Sequence, residues 1–136
     1  MLFRSAELIR VTPDYFQRFQ IVKDAFWRTI KELLGDGVHI NGGTAVPSIL
    51  NVRIDGVPSE ALVLMSDTDD VYISAGAACS SGSPQPSHVL MAMGLSEEEA
   101  GNSIRVSFGY NTLEQEAITA ARIIAKNAHR IRSMYK

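Results

Sequence analysis

The only cysteine, Cys79, sits in Ser74-Ala75-Gly76-Ala77-Ala78-Cys79-Ser80-Ser81-Gly82-Ser83, a run with almost no apolar bulk. A lone thiol on a strand is usually a small core hydrophobe, but this segment has too little bulk to build a core around it. It reads as a loop, with Gly76 and Gly82 lowering the torsional barriers, that carries a nucleophilic sulfur from one place to another. A thiol of ordinary pKa, ~8.5, is only a few per cent thiolate at neutral pH, so nucleophilic work needs a base, a cation or a helix N-terminus nearby. His88, at the start of the following helix, is of the right type, but spacing does not set it against the sulfur. Composition alone leaves two readings open, a reactive Cys79 and an inert loop thiol.

Arg105 is the second candidate. Its same-face neighbours on a predicted strand, Ser103 and Ser107, are small and polar, leaving room for a guanidinium to grip a carboxylate with two parallel hydrogen bonds. A solvated strand face is the simpler reading of the same pattern. The histidines His39, His88 and His129 are far apart and show no metal-ligand spacing, which argues against a metal site. Glu97-Glu98-Glu99 falls in a first helical turn, where carboxylates stabilise the macrodipole without any catalytic role. No glycine-rich phosphate loop occurs.

These residues are positioned by a mixed set of elements. Thr12-Pro13 predicts a helix start, and Phe16, Phe19, Val22, Phe26, Ile30 and Leu33 form one apolar stripe ending at Gly35. Residues 37–44 read as a turn-rich connection. Leu50, Val52 and Ile54 alternate with Asn51, Arg53 and Asp55 as a half-buried strand, followed by a short helix over 59–65. Val71-Tyr72-Ile73 predicts a second strand leading into the Cys79 loop. A short helix over 87–93 stops at Gly94, and Ser96 with Glu99 predicts a capping box. Ile104, Val106 and Phe108 mark a third strand. Thr112 with Gln115 predicts a second capping box, opening a helix through Ile118, Ala121, Ile124, Ala125, Ala128 and Ile131. The fold class expected is α+β, a small three- to four-stranded sheet covered by helices on one face.

At 136 residues the chain fits one domain, with 46% apolar and 21% charged residues, an ordinary globular balance. A net charge of −2 without a dense basic stripe argues against a nucleic-acid partner. Arg122, Lys126, His129, Arg130, Arg132 and Lys136 read as a solvated helix face. No apolar run approaches the ~20 residues of a membrane span, and Met1-Leu2-Phe3-Arg4 is too short and mixed for a signal peptide. One cysteine makes no internal disulfide, so the expected setting is cytoplasmic.

Together, the Ser74–Ser83 run, Pro86-Ser87-His88-Val89-Leu90 and Met93-Gly94-Leu95 resemble the active-site loop and following helix of cysteine desulfurases. The likeness is to the branch with the longer loop, which feeds iron–sulfur cluster assembly and tRNA thiolation. Ser103-Ile104-Arg105-Val106-Ser107-Phe108-Gly109 resembles that family's substrate-binding strand. Pro47-Ser48-Ile49-Leu50-Asn51-Val52, with Gly56 and Glu60-Ala61-Leu62, resembles its strand-to-helix passage. The similarity runs from about Phe19 to the end.

The resemblance implies the small C-terminal domain of a fold-type I pyridoxal-phosphate enzyme over residues 1–136, with the large cofactor domain absent. It implies that Cys79 is the nucleophile that takes sulfur from L-cysteine as a persulfide, leaving L-alanine. It implies that Arg105 holds the substrate's α-carboxylate. The cofactor of the complete enzyme is pyridoxal phosphate, but none of Lys23, Lys31, Lys126 or Lys136 lies in a motif like the family's cofactor lysine. No cofactor-binding residue is therefore assigned, and this polypeptide alone is expected to be inactive. The implied partners are a large pyridoxal-phosphate-binding domain or subunit and a sulfur-acceptor scaffold protein. An apolar patch including some of Leu2, Phe3, Leu8 and Ile9 is expected to favour self-association. The alternatives are a non-catalytic persulfide carrier or scaffold-binding module loaded in trans, and a decayed remnant that merely folds.

Overall fold

The apolar stripe near the start of the chain becomes helix α1 (Thr12–Leu34) in a computed structural model that describes residues 12–43, 46–76 and 86–135. Val22, Ala25, Phe26, Ile30 and Leu34 are buried along it. The stripe is narrower than its sequence suggested: Phe16 is 58% exposed and Leu33 45% exposed, while Ala25 and Leu34 turn inward. The helix stops at Gly35, whose φ of +62° is cheap only without a Cβ, and passes through a 3-10 turn over Gly35–Gly37.

Strands β1 (Val38–Ile40) and β2 (Ile49–Ile54) follow, then helix α2 (Ser59–Asp67) and the two-residue strand β3 (Ser74–Ala75). Short helices α3 (His88–Ala92) and α4 (Glu97–Gly101) lead to strand β4 (Ser103–Ser107) and the long helix α5 (Glu114–Met134). The sheet has the order β1-β2-β4-β3, and all three pairings are antiparallel. The expected class, a small sheet with helices, is what forms.

Register sorts the strand residues onto two faces. Val38, Ile40, Leu50, Val52, Ile54, Ile104 and Val106 face the helices, and most of them are fully buried. The long helices α1 and α5 pack together there, with Ala121, Ile124, Ala125 and Ala128 at 0–2% exposure. Phe26 of α1 meets Phe108 edge-on, with ring centroids 5.7 Å apart. Arg132, near the end of α5, donates to the Asp55 carbonyl through Nη2 at 2.7 Å and to the Gly37 carbonyl at 3.3 Å. A Cβ on Gly37 would lie 2.8 Å from that Nη2, so a larger residue there would push the guanidinium aside and weaken this clamp.

Three expectations need correction. The connection over 37–44 contains a strand, β1, because its apolar residues find Ile54 and Val52 across the ladder. Residues 71–73 form no strand. Val71 N–H bonds to the Ser66 carbonyl and Asp70 N–H to that of Asp67, so turn bonds use donors that a ladder would need. The strand begins later, at Ser74. The α5 start shifts by one residue: Glu116 accepts from Leu113 N–H at 2.7 Å, while Thr112 Oγ1 accepts from Gly109 N–H at 2.9 Å. Leucine has no side-chain acceptor, so only one half of a capping box forms there. At α4 both halves form, with Ser96 Oγ accepting from Glu99 N–H and Glu99 Oε2 from Ser96 N–H. Residues Leu2, Phe3, Leu8 and Ile9 lie outside the described residues.

Candidate functional site

The face of the sheet turned away from the long helices is polar. It carries His39 of β1, Asn51 and Arg53 of β2, Ser103, Arg105 and Ser107 of β4, and Ser74 of β3. Two arginines stand two rows apart on it, and their surroundings differ. Arg53, opposite Ser103, forms an ion pair and hydrogen bond with Glu99 of α4, and its Nε lies 3.1 Å from Asp55 Oδ1 at an angle too poor for a hydrogen bond. His39 Nε2 reaches the other oxygen of Asp55 at 3.0 Å. The hydrogen bond from the Ser96 backbone, with the Arg53 charge, holds the Glu99 carboxyl below its usual range.

Arg105 is half-buried, lies directly between Asn51 and Ser74 in register, and has no carboxylate partner among the described residues. Both acids of this face are engaged at Arg53. A guanidinium among small polar neighbours, with no compensating carboxylate among the described residues, is suited to an external anion.

Cys79 lies in 77–85, outside the described residues. Both flanks of that segment are described. On one side Ser74 is the direct cross-strand partner of Arg105, and Gly76 takes a left-handed φ of +56° just beyond β3. On the other side Ser87 caps α3, its Oγ accepting from Leu90 N–H at 3.5 Å. Cys79 is five residues beyond Ser74 in the sequence. His88 opens α3 and is exposed.

No ammonium joins Arg105 on the polar face among the described residues. Lys23 is buried on α1, Lys31 pairs with Asp36 at 3.4 Å, and Lys126 on α5 pairs with Asp69 at 2.9 Å. The described residues therefore do not fit a pyridoxal-phosphate site, which needs an amine facing the carboxylate grip. The basic face of α5 is exposed at Arg122, His129 and Arg130, but Lys126 and Arg132 are tied to Asp69 and the Asp55 carbonyl. A cleft of about 640 Å³ opens between α5, the end of β4 and residues 69–73. Its charged lining is Asp69, Asp70 and Glu116, all acidic, so it does not attract a carboxylate. Among the described residues no three potential metal ligands cluster, and no helix is long and apolar enough to cross a membrane.

Sequence reasoning picks out Arg105 and its same-strand neighbours Ser103 and Ser107, but not the residues across the ladder. Asn51 and Ser74 flank it only because of strand register, which no local pattern encodes. Asn41, whose amide reaches both Asn51 and Ser103, falls in the segment read as a turn.

No protein-family model matches the sequence. The cysteine desulfurase IscS of Edwardsiella ictaluri (strain 93-146) is 36% identical over 119 residues, 86% of this chain and 28% of that protein. The cysteine desulfurase IscS of Buchnera aphidicola (strain 5A) is 37% identical over 127 residues, 92% of this chain and 30% of that protein. Its relatives are cysteine desulfurases. The chain spans less than a third of the length of these relatives. Among solved structures, an X-ray structure of a NifS-like protein from Rickettsia africae ESF-5 shares the fold with a TM-score of 0.66 at 20% identity, over 89% of this chain and 30% of that one. The α-aminoadipate aminotransferase LysN of Thermus thermophilus, in complex with a phosphopyridoxyl-leucine, matches with a TM-score of 0.56 at 15% identity, over 96% of this chain and 28% of that one. These two likenesses are of fold.

Proposed function

We propose that this chain is the small C-terminal domain of a cysteine desulfurase, with Arg105 holding the α-carboxylate of L-cysteine and Cys79 accepting its sulfur. The observation that carries the reading is the pairing of Ser74 with Arg105: the strand that feeds the Cys79 segment is bonded directly to the strand that holds the uncommitted guanidinium. In balance, the substrate C–S bond breaks, a new S–S bond forms on Cys79, and the thiol proton ends on the former Cβ. The products are L-alanine and a Cys79 persulfide. Pyridoxal phosphate supplies the electron sink for this cleavage in complete enzymes and requires a polypeptide other than the residues described here. The persulfide is then passed to an acceptor protein for iron–sulfur cluster assembly or thiolation. A reactive lone thiol of this kind suits the reducing cytoplasm.

The test combines the chain with the large domain of a related desulfurase, pyridoxal phosphate and L-cysteine, and reads alanine release and the mass of Cys79. The expected result is alanine formation and one added sulfur atom on Cys79. Cys79→Ala abolishes the persulfide, and Arg105→Ala raises KM for cysteine by about 10- to 100-fold, the loss of a charge-assisted hydrogen-bonded grip. Undiminished persulfide in Cys79→Ala overturns the reading. Sulfur accepted from a rhodanese-like donor but never with the large domain favours a carrier loaded in trans instead.

A further inference from the structure

We propose that Asn51 is a second donor to the substrate carboxylate beside Arg105, and that Asn41 is the residue that positions it. The inference rests on the reading of Arg105 as a carboxylate site and adds to it the group that completes the grip. Asn51 and Arg105 are direct partners across the β2–β4 ladder, so their Cβ atoms stand about 5 Å apart on one face.

A side-chain amide has one acceptor oxygen and two N–H donors, and which end faces outward depends on what holds the other. Here the Asn51 Oδ1 accepts from Asn41 Nδ2 at 2.7 Å. That leaves the Asn51 Nδ2 as the outward group, with no acceptor among the described residues. Asn41 is held in turn: its Nδ2 also donates to Ser103 Oγ at 2.9 Å, and that hydroxyl donates to the Glu99 carbonyl at 2.7 Å. The Asn41 backbone N–H bonds to the Asn51 carbonyl at 2.9 Å. Asn41 is 9% exposed and Ser103 1%. A buried amide is costly unless it is fully bonded, and this one is bonded so as to fix a neighbour's polarity.

The result is a patch with two kinds of donor and no committed acceptor. The guanidinium offers a planar fork, and the Asn51 N–H approaches from the adjoining strand. A carboxylate has two oxygens with four acceptor positions, more than a fork fills alone. The hydroxyls of Ser74 and Ser107, on the same face, can rotate to suit. A planar monoanion such as an amino acid's carboxylate fits this donor set.

The test is NMR of the labelled chain, following the Arg105 Nε–H and Asn51 Nδ2 signals while L-alanine is titrated, with L-alaninamide as the probe that lacks the carboxylate. Alanine is expected to move both signals along one saturation curve, and alaninamide to move neither. Asn51→Ala is expected to weaken alanine binding about tenfold, as loss of one hydrogen bond to a charged group does, with Arg105 still responding. Asn51→Asp, which sets a carboxylate beside Arg105, is expected to abolish binding. Asn41→Ala is expected to weaken binding several-fold although Asn51 is retained. An Arg105 response without an Asn51 response, or unchanged affinity in Asn51→Ala, overturns this inference and leaves Arg105 standing. Binding undiminished in Arg105→Ala, or no response of either signal, overturns the carboxylate site itself. If a variant's backbone spectrum shows it unfolded, the paired response in the unaltered chain decides.

Discussion

Individual side chains here divide into those that hold the fold and those that face outward uncommitted. Asp69 is of the first kind. It accepts from Lys126 Nζ at 2.9 Å and from Asn127 Nδ2 at 3.1 Å, and these bonds hold its carboxyl below the ordinary value of 3.8. A carboxyl whose pKa is lower folded than unfolded adds stability above the unfolded value, and that stability is lost as pH falls through the folded one. Urea midpoints should therefore drop below about pH 4, and Asp69→Asn should have a lower midpoint near neutrality and a flatter acid limb. Parallel limbs in the two proteins would count against this link between α5 and residues 69–73. Of the uncommitted kind, Arg105 was legible in sequence from strand alternation and the neighbouring serines. Its lack of a carboxylate partner among the described residues was not, because Asp55 and Glu99 are drawn to Arg53 by contacts between residues up to 46 positions apart.

At the scale of elements, the long helices were legible because their apolar period persists over many turns. The short strands were not: three residues of β1 and two of β3 acquire their state from what lies opposite, and no local alternation that short can declare it. The exposure of Phe16 against the complete burial of Phe26 gives a direct check on which face of α1 is covered. Phe26→Ala should cost about 3–5 kcal/mol, since it empties a core site and removes the ring contact with Phe108. Phe16→Ala should stay within about 0.5 kcal/mol, as surface changes do. Denaturant midpoints at unchanged slope measure both, and similar losses would mean that the stripe is buried along its whole length.

For the whole molecule, family and class were legible because three motifs recur in order at the right separations, a signal that survives errors at single elements. What stays illegible from sequence is which surfaces await a covering. Leu64 at 70% and Tyr72 at 76% exposure, with the apolar walls of the cleft beside α5, are a large load for a chain of this size. Light scattering should show an apparent mass that rises with concentration, and a concentration-independent monomer would contradict that expectation.

The rung that joins Ser74 to Arg105 has one more effect. Because successive strand residues point to opposite sides, sliding β3 by a single step would put Ala75 beside the guanidinium and send Ser74 toward the helices. The same slide would shift the point where the chain leaves the sheet toward Cys79 by about 3.3 Å along β4. Under the proposed function, carboxylate grip and sulfur-bearing segment are thus kept in phase by one edge pairing, and neither can be retuned without the other.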